Sequence, residues 1–392
     1  MLLLLFSVNG SFAQDITGKE FWFTPTGGRY FIDQSTKLMI VGNHDAIVTI
    51  DFVALPHPGG TFNEFSCTSQ TINHTGGTVT TVLIPSDNLA YCARYTDELG
   101  SATIQDNGCY VVSSAPIALY YTHYQPASGE ATPIHPLEKL GTEYYISAFR
   151  ENSTDNYWGA RATIVATEDN TIVNFNLNSE TWVSSGIGRN IEDTVVLYKP
   201  NESWSITLNR GQTYSMSSTQ VGPLTPAGQE AFPWGSTVPN KYNSGLNGLH
   251  VVSDKPIAAF GGSPITRIGD YEYSACSAGD ITWTHLLPIN NWGTRFVVSQ
   301  TLLRTYNIRT LKTPAPPHFE NYPPSSADKS LADYILITAA TDATTVTITG
   351  RSNFSKTIDA GEWFIYESPG KSAAAQLNPG QVQNIIEANN PI

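Results

Sequence analysis

The stretch from Asn107 to Tyr121, whose centre reads Tyr-Val-Val-Ser-Ser-Ala-Pro-Ile-Ala, comes back between Asn247 and Phe260 as His-Val-Val-Ser-Asp-Lys-Pro-Ile-Ala-Ala-Phe. It starts a third time at Ile385, Ile386, Glu387, Ala388, Asn389, Asn390, Pro391 and Ile392. Self-similarity at this range limits the chain to copies of one unit, each of which must bury its apolar face alone or against a neighbour. Pro116, Pro256 and Pro391 recur at an interval close to 140 residues, the size of one small β domain. Each copy reads as a hairpin. A β-branched or aromatic run meets a polar turn, and a proline then opens the next strand, where no ladder donor is lost.

A second element recurs with the same period. Gly18, Lys19, Glu20, Phe21 and Trp22 are matched by Gly141 to Tyr145 and by Gly293 to Val297. The proline-led connectors Pro136 to Leu140 and Pro288 to Trp292 stand just before the second and third of these openings. Turn chemistry there divides the chain into repeat 1 (14–140), repeat 2 (141–292) and a truncated repeat 3 (293–392). Within each repeat an acidic turn, at Asp45, Asp169 or Asp342, lies between two apolar runs and predicts another hairpin. Val173, Phe175 and Leu177 alternate with Asn174, Asn176 and Asn178, the period of two that sends one face to the core. About seven strands per repeat and no sustained helical periodicity predict an all-β chain of tandem antiparallel β-sandwich-like repeats, the alternative being a β-propeller built from the same repeats.

Charge narrows the partners. Of the 392 residues 14% are charged and the net charge is −13, against roughly 25% charged in an ordinary domain. With no Lys or Arg run to offset it, this balance argues against nucleic acid or anionic membrane as ligand. The apolar run Leu2 to Phe6, ending at Ser11, Phe12 and Ala13, reads as a signal peptide over 1–13. The mature chain is therefore expected to be exported, secreted or at the cell surface, and nothing later in the sequence is long and apolar enough to be a transmembrane segment. Cys67, Cys92, Cys109 and Cys276 are disulfide candidates in such a compartment, with three pairings open.

The Gly-Lys-Glu-Phe-Trp-Phe opening, the Val-Val-Ser-Asp-Lys-Pro-Ile-Ala stretch, and the segment from Cys276 through Gly279, Asp280 and Pro288 to Trp292, Gly293 and Thr294 resemble the amino-terminal domain family of IgGFc-binding protein, in the form of its bacterial exported members. The resemblance covers nearly the whole mature chain. It implies adhesion or recognition and brings no catalytic residue with it.

The residues themselves add no reaction chemistry. The histidines are scattered, without the helical i, i+4 spacing of a zinc protease, and those near the connectors (His123, His135 and His285) read as packing residues. The aspartates of the acidic turns cap their own backbone and lack the spacing of a calcium loop. No catalytic residue, metal site or cofactor is assigned. The leading candidates for binding are Tyr271, Tyr273 and Trp283, aromatic side chains around Cys276 in a loop-rich stretch where flat rings beside polar groups suit glycan or peptide recognition. Trp292 is read as filling the junction between repeats 2 and 3. The expected function is a non-enzymatic recognition or adhesion module for an extracellular protein or glycan partner, with a glycan-degrading hydrolase or a structural spacer of a larger surface protein as alternatives.

Overall fold

The computed structural model describes residues 16–25, 36–52, 69–84, 102–125, 128–148, 160–178, 181–184, 195–218, 245–266, 280–299, 319–320, 333–350, 353–368 and 383–392. The proposed signal peptide lies outside them. The chain is all-β, as expected: among the described residues, every regular element is a strand apart from 3-10 turns at Leu137–Lys139 and Ile289–Asn291.

The first unit runs through β1 (Thr17–Phe23), β2 (Thr36–Val41), β3 (Ala46–Phe52), β4 (Gln70–His74), β5 (Val79–Leu83), β6 (Thr103–Gln105), β7 (Cys109–Gln125) and β8 (Ser128–Ile134). The second comprises β9 (Gly141–Tyr145), β10 (Arg161–Ala166), β11 (Thr171–Asn176), β12 (Thr181–Ser184), β13 (Val195–Tyr198), β14 (Ser203–Leu208), β15 (Thr213–Ser218), β16 (His250–Thr266) and β17 (Asp280–His285). The third holds β18 (Arg295–Ser299), β19 (Phe319–Glu320), β20 (Asp333–Thr338), β21 (Thr344–Thr349), β22 (Phe354–Ile358), β23 (Trp363–Ser368) and β24 (Gln383–Ala388).

Sheet order shows one plan used repeatedly. It is β4-β3-β7-β2-β5 in the first unit and contains β14-β11-β16-β10-β15 in reverse in the second. In the third the same order is split into β18-β24-β21-β22 and β19-β23-β20. The pairings are antiparallel except for the short β19–β23 contact.

The stretch read as a hairpin is instead a single bent strand. Residues 109–113 of β7 pair with β3, and residues 118–123 pair with β2, both antiparallel. The neighbouring β1 skips from Val112 to Ile117 while advancing only from Glu20 to Gly18. β16 repeats this, jumping from Val252 to Ile257 against β9. The predicted acidic-turn hairpin is corrected in the same way, since β2 and β3 do not pair with each other but follow one another along β7. Proline explains why sequence could not tell the two apart. At an unpaired corner its missing N–H costs nothing, whether the chain reverses or merely bends.

Each unit is thus a sheet folded over along one line of corners, sandwich-like and nearly closed, with strands passing from a front layer to a rear layer. The front layer of unit 1 is β4-β3-β7-β1 and the rear layer β5-β2-β7-β8. The corners are tied identically. Asp45 Oδ1 accepts the Gly76 N–H at 2.8 Å, Asp169 Oδ1 the Arg210 N–H at 2.9 Å and Asp342 Oδ1 the Ala360 N–H at 3.1 Å. Gly77, Gly211 and Gly361 occupy the left-handed region there (φ 76°, 79° and 73°), which glycine adopts without strain.

Candidate protein-binding surface

Trp283 does not present its ring to solvent. It stands on β17 opposite Gly262, is 1% exposed, stacks on Phe260 with ring centroids 5.5 Å apart, and donates its indole N–H to the Thr24 carbonyl at 3.3 Å. The expectation of an exposed ring at this position is corrected: with both faces covered, an indole this large acts as interior packing between units 1 and 2. Tyr271 and Tyr273 lie outside the described residues, as do Cys67, Cys92 and Cys276. Cys109 is buried in the first core. Trp292 is half-buried, 6.2 Å from the Tyr145 ring, and gives its indole N–H to the Leu287 carbonyl at 2.9 Å.

The junction of units 1 and 2 is built from the rear layer of unit 2. Its outer side chains Val165, Ala258, Phe260 and Trp283 join the same apolar cluster as Phe21, Phe23, Leu119 and Ile134 of unit 1. His135 and His285 meet there. The His135 backbone N–H is donated to His285 Nδ1 at 3.0 Å, the His285 backbone N–H goes to Thr132 Oγ1 at 3.2 Å, and the two rings lie 4.9 Å apart. Burial holds both imidazoles below their ordinary pKa, and at His285 the neighbouring ring lowers it further. Since Nδ1 accepts, the neutral His285 carries its proton on Nε2.

A paired motif marks the front edge of each of the first two units. In unit 1 Trp22 and Tyr110 lie 4.8 Å apart and the Tyr110 hydroxyl donates to Glu20 Oε2 at 2.8 Å. In unit 2 Tyr145 stacks on His250 at 4.6 Å, and His250 Nε2 is 2.8 Å from Glu143 Oε1. The next unit's corner turn sits on each pair. Arg210 lies over the Trp22 and Tyr110 rings at 4.8 and 4.7 Å, a cation–π arrangement, and the Gly108 N–H is donated to the Gly211 carbonyl at 2.9 Å. At the second junction Asn178 Nδ2 donates to the Gly361 carbonyl. Burial and the Glu20 carboxylate together raise the Tyr110 pKa.

What the junctions leave open is the middle of the front layers. Ile47 and Val112 in unit 1 are 56% and 36% exposed, and Ile172, equivalent to Ile47, is 45% exposed. The equivalence is fixed by hydrogen bonding, because the Ile47 N–H goes to Ser114 Oγ and the Ile172 N–H to Asp254 Oδ1. Around them stand half-buried Thr49 and exposed Thr71 and Asn73 in one unit and exposed Asn174, Ser205 and Thr207 in the other. This is a flat face of hydroxyl and amide groups with a branched apolar residue at its centre and an exposed carboxylate, Asp51 or Asp254, beside it, suited to docking another surface. Sequence reading passed over it, although the alternation that places Asn174 and Asn176 outward also places Ile172 there. Among the described residues, no group of three or more His, Cys, Asp or Glu side chains is arranged to hold a metal ion, and no helix is long and apolar enough to cross a membrane.

Repeated, corner-tied β units with open sheet faces define a class of β scaffold that offers broad surfaces for contact. The chain belongs to the family described as IgGFc binding protein, whose sequence model matches residues 130–391. No curated protein and no solved structure gives a significant match.

Proposed function

We propose that this chain is an exported, non-enzymatic recognition module that binds a protein partner at or beyond the cell surface through the open front faces of its first two units. Family membership supports a protein-binding role. The observation that carries the reading is the recurrence of an exposed isoleucine, Ile47 and Ile172, at the same place in successive units, each set among hydroxyl and amide side chains. Two such faces on one rigid scaffold also allow a repetitive ligand to be held at two points, which raises avidity without new contacts.

The test is biosensor binding of the purified chain to immunoglobulin G Fc fragment and to a set of secreted glycoproteins, with a polysaccharide array in parallel. Saturable binding to a protein probe that weakens roughly tenfold or more in the Ile47→Asp, Ile172→Asp double variant is expected. Undiminished binding in that variant, or saturable binding to polysaccharide alone, overturns the reading.

A further inference from the structure

The outer strands of the front layers, β4, β14 and β22, hold the same place in the three units, and among the described residues each is paired on one side only, with β3, β11 and β21. Hydrogen bonding shows which residues aim their backbone at the open side. The Ile172 N–H goes to Asp254 Oδ1, on the β16 side of β11. Ile172 and Asn174 therefore turn their backbone groups away from β14, and their partners Thr207 and Ser205 turn theirs away from β11. In unit 1 the Ile47 N–H goes to Ser114 Oγ, on the β7 side of β3, which leaves Asn73 and Thr71 of β4 in the same position. The side chains of these four residues are exposed, short and polar, so none of them shields the edge.

Edge strands are ordinarily guarded by charge, proline or a bulge. β22 follows that rule: Lys356 points inward, opposite Val346, with its Nζ 5.3 Å from the Phe364 ring centroid. In contrast, β4 and β14 carry no Lys, Arg, Asp, Glu or Pro. Their inward side chains are also incompletely covered, since Ile72, Trp204 and Ile206 are half-buried against their cores. An added strand with apolar side chains at alternate positions covers them while its N–H and C=O groups pair with the open row. A net charge of −13 on every copy opposes edge-to-edge pairing of the chain with itself.

We propose that β4 and β14 each accept an extended, uncharged segment of a protein partner as an added strand, its apolar side chains lying beside Ile72 or beside Trp204 and Ile206. The inference rests on the front faces of units 1 and 2 being the side that meets the partner. It supplies the form in which the partner is held there, a backbone ladder at the rim of each face, next to Ile47 and Ile172.

The probe is the peptide Gly-Ser-Thr-Val-Thr-Val-Thr-Ser-Gly, followed on the full chain by fluorescence anisotropy and by amide hydrogen exchange. Saturable binding is expected, with slower exchange at the Thr71, Asn73, Ser205 and Thr207 amides, and it should vanish when alternate peptide nitrogens are methylated. The Thr71→Pro, Ser205→Pro double variant should weaken binding roughly tenfold or more. Both prolines replace outward N–H groups, so the β3–β4 and β11–β14 ladders keep their bonds, and thermal melts check this. Should the prolines disturb folding, the amide protection pattern and the methylated peptide decide the matter on the parent chain. Absent binding, binding that leaves these four amides unprotected, or binding that survives in a folded double variant overturns the proposal. So does concentration-dependent self-association that the prolines abolish, since the edges would then belong to a second copy. If the Ile47→Asp, Ile172→Asp variant loses a protein probe that the proline variant still binds, strand addition falls and the face reading stands. If the peptide adds to the edges while no protein probe binds the parent chain, the edge inference stands and the face reading falls.

Discussion

Asp45, Asp169 and Asp342 hold each fold-over together by accepting one backbone N–H from the adjacent corner turn. The role needs an acceptor oxygen and not a charge. Asp169→Asn should therefore be nearly neutral, whereas Asp169→Ala should cost about 1 kcal/mol by leaving the Arg210 N–H without its protein acceptor, as read by urea denaturation; equal loss in both variants would assign the residue an electrostatic role instead. Trp283 works through volume. Its replacement by Ala should destabilise the chain by about 3–5 kcal/mol, and Trp283→Phe, which keeps a ring against Phe260, by distinctly less. The histidine pair at the same junction links stability to pH. A base whose folded pKa is depressed binds fewer protons folded than unfolded, so its contribution is intact above about 6.5, the ordinary histidine value, and is lost as pH falls from there through the lowered folded values. Stability should drop by up to about 1.4 kcal/mol per pH unit for each ring in that window, and His285→Gln should flatten the profile. A parent chain equally stable on both sides of the window would show that these rings are hydrated rather than buried.

Among elements, the bent strands carry the lesson about legibility. The repeat, the β class and the outward phase of the strands could be read from Val173, Phe175 and Leu177 and from the returning Pro116 and Pro256. What could not be read was the path at the corners, because turn residues such as Asp, Asn and Gly and an opening proline satisfy a bend and a reversal equally well. Trp283 was misplaced for a related reason: a strand facing another unit and a strand facing water show the same alternation, and only packing distinguishes them. Corner turns also set how units meet. A Cβ on Gly248, which sits at φ 76°, would collide with the Gly361 carbonyl. Gly248→Ala should therefore cost more than about 1 kcal/mol, and hydrogen exchange should show β20 and β23 losing protection while β7 keeps it. Uniform loss across the chain would mean that the strain spreads instead of loosening one joint.

Over the whole molecule, the interiors are unequal. The first apolar cluster draws side chains from both unit 1 and unit 2, whereas the third, around Ile337, Val346, Phe364 and Ile386, is smaller and keeps to its own unit. Units 1 and 2 should consequently melt as one cooperative block, and amides of β20 to β24 should exchange before those of β7 and β16. Independent melting of the first two units would contradict a shared interior. Because Gly211 on Gly108 and Gly361 on Gly248 repeat one contact, every unit is offset from the last by a similar step. Gene duplication could then lengthen or shorten such an array without any joint having to be reinvented.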